Sequence, residues 1–148
     1  HACGKFISMK NSNECGYTLI MSTEIIGLSH LEREIIANVV RYNIRDFDYD
    51  MMQLETEAGQ DLAGVSDRTA ITILIAKLTA ILRLANSMDK THKSKLIDCR
   101  MAVREGQLVI TTGYKGDLAL ESASFEQKAA FFEEIFGIRP VLKQKRRV

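Results

Sequence analysis

The 148-residue chain lacks several features that would each have named a chemistry. Cysteine is scarce: Cys3, Cys15 and Cys99 form no Cys-x-x-Cys pair and are odd in number. That argues against a disulfide framework and a cysteine zinc site, and reads as reduced thiols used as small apolar fillers. No cysteine–histidine spacing marks a cysteine nucleophile. A Walker-type glycine-rich loop and a Gly-x-Ser-x-Gly elbow are both missing, so neither a P-loop hydrolase nor a serine hydrolase is indicated. No uninterrupted apolar run reaches the about eighteen residues of a bilayer-spanning helix; the longest, Ile71 to Ala85, is broken by Lys77 and Arg83. Net charge is small too, with 20 Lys+Arg against 19 Asp+Glu, so composition argues neither for nor against nucleic acid, and no nucleic-acid partner is expected. With no signal peptide evident, a cytoplasmic protein without a membrane partner is expected. The first residue is His1 rather than Met, which reads as the start of an excised fragment.

What is present is ordinary globular material. Hydrophobic residues make up 46% of the chain and charged residues 26%, enough for a core and a solvated surface. Asn13 to Thr23 reads as a short helix capped by Asn13, followed by a turn at Ile25-Ile26-Gly27. Ser29-His30-Leu31-Glu32 fits a capping box. Behind it Ile35, Ile36, Val39, Val40 and Tyr42 recur at helical spacing, with Glu32, Arg33, Asn38 and Arg41 as polar positions, and the helix should end near Asn43. The Ile35–Val40 stripe is core, or an interface where it remains exposed. Residues 44–64 have no sustained period. Ser66 then opens a helix running to about Lys90, apolar around most of its circumference and so expected to be central.

The pattern changes after Lys95. Ile97, Cys99, Met101 and Val103 alternate with Asp98, Arg100, Ala102 and Arg104, which predicts a strand with one buried face. Glu105-Gly106 makes a tight hairpin turn and Leu108 to Thr112 the return strand. Ser124 to Gln127 reads as a second capping box, opening a helix that Gly137 closes, and Ile138 to Leu142 as a last strand. The fold class is therefore α+β: a mainly helical domain over residues 1–92, then a small β-β-α-β subdomain over 95–148.

Asp46-x-Asp48-x-Asp50 with Glu57 has the outward spacing of a calcium-binding EF-hand loop, but Met51 stands where the turn needs glycine, which leaves a solvated acidic loop. Lys5, Arg41, Arg83, Lys90 and Lys93 lie near the ends or polar faces of the predicted helices. They are the candidates for a groove that binds a polyanion, assisted by the helix N-termini at Ser29 and Ser66; ordinary solubility charge is the alternative. The KQKRR tail steers anions or is simply a basic end.

Two resemblances sharpen this. His1-Ala2-Cys3-Gly4-Lys5 resembles the His-Asp-x-Gly-Lys segment of HD-type phosphohydrolases, and the helix ending Leu82–Asp89 resembles the segment that brings their last Asp. In that superfamily such residues hold one or two metal ions that activate water. Here Ala2 has no donor and Asn86 stands where a carboxylate serves better, so His1, His30 and Asp89 are degenerate remnants rather than metal ligands. More specifically, HACGKFIS (1–8), MSTEIIGLSHLEREIIANVVRYN (21–43) and KLTAILRLANSMDKTHKSK (77–95) resemble, in order and spacing, the C-terminal region of the exopolyphosphatase/guanosine pentaphosphate phosphatase (Ppx/GppA) family. The similarity continues more weakly through the tail.

The resemblance implies a parent hydrolase that removes terminal phosphates from inorganic polyphosphate or guanosine pentaphosphate. It also implies that catalysis, with its magnesium, sits in an N-terminal actin-like half absent from this chain. The C-terminal part would then grip the polyanion and join subunits into a homodimer, with no catalytic residue and no cofactor of its own. An active metal-dependent HD-type hydrolase and an alarmone-binding regulatory domain are the competing readings.

Overall fold

The computed structural model describes residues 2–49, 52, 54 and 65–145. A 3-10 turn (Cys3–Phe6) leads into helices α1 (Ser12–Ser22), α2 (His30–Tyr42) and α3 (Val65–Met88), then strands β1 (Cys99–Arg104) and β2 (Gln107–Thr112), helix α4 (Ala119–Phe136) and strand β3 (Arg139–Gln144). The class is α+β, and the tail has the expected β-β-α-β order. Two compact units result, His1–Thr79 and Ala80–Val148, with α3 contributing to both. The Asp50 and Glu57 of the calcium-like spacing lie outside the described residues, as does the side chain of Ser66.

In the first unit the 3-10 turn lies against α1 at very short range. A Cβ placed on Gly4 would come within 1.7 Å of the Ser12 carbonyl oxygen and 2.6 Å of the Gly16 nitrogen, so only glycine fits. Helix α1 starts at Ser12, one residue before the expected Asn13 cap. Asn13 lies inside its first turn and donates its amide to the Arg41 carbonyl of α2 at 3.4 Å. The turn before α2 is of the glycine type: Leu28 N–H donates to the Ile25 carbonyl at 3.2 Å with Gly27 at φ 90°.

The capping box of α2 is present. Glu32 N–H donates to Ser29 Oγ at 3.2 Å, and Ser29 N–H to Glu32 Oε2 at 2.8 Å. The helix ends at Tyr42, against Asn43. Its buried face matches the expected stripe in part: Val40 and Tyr42 are buried, Ile35 and Val39 half-buried. Glu34, Ala37 and Asn38 are all but fully buried, while Ile36 is exposed. Two polar residues therefore sit in the core register, which rotated the apparent apolar face. The Asn38 amide donates to the Glu34 carbonyl at 3.0 Å, one turn back along the helix.

Helix α3 is less enclosed than its composition suggested. Ile75, Ala76, Thr79, Ala80, Arg83, Leu84 and Ser87 are buried, but Ile73, Leu74, Leu78 and Ile81 are exposed. By length and composition alone its Arg68–Met88 stretch would cross a membrane. Its buried face nevertheless carries Thr79, Arg83 and Ser87, the mark of a helix packed against protein.

In the second unit the strands order β1-β2-β3, with β1 antiparallel to β2 and β2 parallel to β3 across the α4 connection. Glu105 and Gly106 both have positive φ, 49° and 73°, as a two-residue type I′ hairpin requires. Ile110, Ala80, Leu84, Phe125 and Phe132 form the core, with Leu108, Ile138 and Leu142 packed on it. Helix α4 begins at Ala119, where the Asp117 carboxylate accepts the Ala119 N–H at 2.8 Å, rather than at the expected Ser124 box. The buried residues run Leu118, Glu121, Phe125, Ala129, Phe132. A buried glutamate in an apolar register concealed the first turn. Gly137 closes the helix at φ 69°, as expected, its N–H on the Glu133 carbonyl at 2.8 Å.

The face marked by the alternation in β1 is covered only at Cys99, which packs against the core. Ile97, Met101 and Val103 are all more than half exposed, because β1 is an edge strand of the sheet.

Candidate functional site

The segment from Asp89 to Lys95, which follows α3, carries Lys90, His92, Lys93 and Lys95 on a backbone closed by its own hydrogen bonds. Asp89 closes it twice. Its carbonyl accepts the His92 N–H at 3.0 Å and its carboxylate accepts the Ser94 N–H at 2.9 Å. His92 and Ser94 both adopt left-handed backbone, φ 53° and 50°, unusual for residues with a Cβ. Such conformations cost free energy and persist where surrounding bonds hold them.

Below the turn Lys95 provides the anchor. Its Nζ donates to the Asp117 carbonyl at 3.0 Å and to Glu121 Oε2 at 3.1 Å, and Thr91 Oγ1 donates to Glu121 Oε1 at 2.5 Å. Glu121 is fully buried, yet its carboxyl is held below the usual glutamate range. The Thr91 hydroxyl is the largest cause, against the upward push of burial, and a backbone N–H and Lys95 add to it. Lys90, His92 and Lys93 remain exposed on the outer side of a turn whose two ends are fixed. The turn can thus present cationic groups to a polyanion with little ordering of the backbone on binding.

The other basic candidates occupy different surroundings. Lys5 is exposed on the 3-10 turn. Arg41 crosses from α2 to α1, its Nη2 2.9 Å from Glu14 Oε2 and its guanidinium over the Tyr17 ring at 4.8 Å. Arg45 adds a second contact to Glu14 at 3.1 Å. Arg83 is buried and stacks on Phe131 at 4.5 Å. Lys5 and Arg41 belong to the first unit, and Arg83, Lys90 and Lys93 to the second.

His1 lies outside the described residues. His30 opens α2, and its Nδ1 accepts from Arg33 Nη2 at 3.1 Å, since a guanidinium only donates. Ala2 has no side-chain donor, the His30 imidazole lies beside a guanidinium and Asp89 Oδ1 accepts within its own turn; among the described residues no group of three His, Cys, Asp or Glu side chains gathers to hold a metal ion. Cys99 donates its thiol to the Leu96 carbonyl at 3.0 Å, and burial, with Asp98 nearby, pushes its pKa up. An ordinary thiol in that setting is not an activated nucleophile.

Sequence reasoning singled out Lys90, Lys93 and Asp89 but not the Thr91-Lys95-Glu121 staple beneath them. The Thr91 and Lys95 partners lie 30 and 26 residues away from Glu121, and no local pattern connects them.

The family model for Ppx/GppA phosphatase, domain III, matches residues 1–129. The match ends within α4. No curated protein matches the chain. A model covering this much of the sequence is decisive: the chain belongs to the Ppx/GppA phosphatase family, through that family's domain III.

Proposed function

We propose that this chain is a non-catalytic module of a polyphosphate-type phosphatase, gripping a phosphate polyanion and contributing subunit contacts in the cytoplasm. Hydrolysis of inorganic polyphosphate or guanosine pentaphosphate, and the magnesium it uses, belong in this reading to an N-terminal catalytic half of the parent protein. The observation that carries the reading is the Asp89 turn. The Asp89 carboxylate, one turn beyond Asn86, bonds the Ser94 N–H, and Lys90, His92 and Lys93 stand exposed on the turn it closes.

Physical chemistry favours such a site for a long polyanion over a small ligand. Exposed lysines are hydrated point charges that attract phosphate without demanding one geometry. Binding by such groups is driven largely by counterion release and weakens steeply with salt. Titrating this chain with inorganic polyphosphate across a salt series tests the reading. Salt-sensitive binding is the expected result, and binding that is absent at low salt contradicts the proposed grip.

A further inference from the structure

We propose that the edge of β1 that no strand among the described residues covers pairs with β1 of a second copy, antiparallel about a two-fold axis through Met101, to make one continuous six-stranded sheet. This deepens the subunit-contact part of the function proposed above and rests on it.

The edge is built for pairing. In a two-residue hairpin the residues flanking the turn, Arg104 and Gln107, form a hydrogen-bonded pair, so Arg104, Ala102 and Arg100 spend their backbone groups on β2. Cys99, Met101 and Val103 then direct their N–H and C=O groups away from β2, to that edge. Strand edges of this kind are templates for another strand unless something blunts them.

Side chains on that edge extend the core without being covered by it. Met101 is opposite Ile110 and Val103 opposite Leu108, so both project from the face that carries the core. Ile110 is 1% exposed, whereas Met101 and Val103 are 62% and 63% exposed. The rows continue on the other side of β2 to Leu142 and Pro140 of β3. Each apolar row is therefore complete at β3 and open at β1.

Charge selects the occupant and its register. With Met101 on the axis, Cys99 faces the partner's Val103, Arg100 faces the partner's Ala102, and Asp98 faces the partner's Arg104. Opposite charges, Asp98 directly before β1 and Arg104 at its end, thus adjoin at both ends of the paired segment. Moving the axis to Arg100 sets the two Arg100 side chains against each other. Moving it to Ala102 sets Arg100 against Arg104. Among these three registers only the Met101-centred one is self-complementary in both apolarity and charge.

Sedimentation velocity on the 148-residue chain and three surface variants tests this, with circular dichroism confirming that each variant folds. Asp98 and Arg104 are exposed, so exchanging them leaves the core untouched. Asp98→Arg and Arg104→Asp should each weaken the dimer about tenfold, since each places like charges opposite at two positions. The double variant Asp98→Arg/Arg104→Asp should return the affinity to that of the unaltered chain. A dimer indifferent to both single substitutions overturns the β1 interface while leaving subunit contact intact. Weakening by both singles without recovery in the double overturns the register. A chain that stays monomeric at high concentration overturns the interface and the subunit-contact reading together.

Discussion

The Asp89 carboxylate accepts the Ser94 N–H at 2.9 Å, across a turn in which both His92 and Ser94 are left-handed. That bond gives the acid a structural task and holds Lys90 and Lys93 on an outward-facing loop. Asp89→Ala should release the turn while leaving the helices intact. Amide exchange at Ser94 reports it, and faster exchange there with an unchanged helical signal is the expected result.

The staple under the turn should be separable from the turn itself. Thr91→Val removes the hydroxyl that donates to buried Glu121 and should cost about 1.5 kcal/mol, read from denaturant unfolding. The pH dependence has a definite sign. Because the folded-state pKa of Glu121 is lowered, its stabilisation is fully present above the ordinary glutamate value of about 4.3 and is lost as pH falls through the lower folded value. Unfolding midpoints compared on the two sides of that window should converge between Thr91→Val and the unaltered chain on the acid side.

Gly4 leaves no room for a side chain. Gly4→Ala must push the 3-10 turn away from Ser12 and Gly16 and should destabilise the first unit by about 1–3 kcal/mol. Thermal unfolding checks this, and a variant as stable as the original would show that the close approach relaxes freely.

Thr79 offers the opposite sign. Its hydroxyl is fully buried and has no hydrogen-bond partner among the described residues. Thr79→Val keeps the shape and removes the unpaired group, so stability should rise by about 1 kcal/mol. A loss of stability in the same unfolding assay would mean that the hydroxyl is satisfied.

How much of this was legible in the sequence follows from the range of the forces involved. Ser29-x-x-Glu32, Glu105-Gly106 and Gly137 act over one turn, and each was readable because its residues are neighbours. Periodicity misled where polar residues occupy core positions. Glu34 and Asn38 on α2, and Glu121 on α4, made buried faces look solvent-facing. It misled again in β1, where alternation marks a face but cannot say whether anything lies on it. Of the candidate basic residues, local spacing could not distinguish Arg41 and Arg83, drawn into Glu14, Tyr17 and Phe131 contacts, from exposed Lys90 and Lys93. Those partners come from other elements of the fold.

The proposed grip on a phosphate polyanion runs through the Asp89 turn. Its most direct test is the affinity of the 148-residue chain for inorganic polyphosphate at low salt, compared with a Lys90→Gln/Lys93→Gln variant. Binding should weaken at least tenfold in the variant, with a shallower salt dependence because two fewer phosphates are neutralised. Equal affinity and an equal salt slope in the two proteins would contradict it.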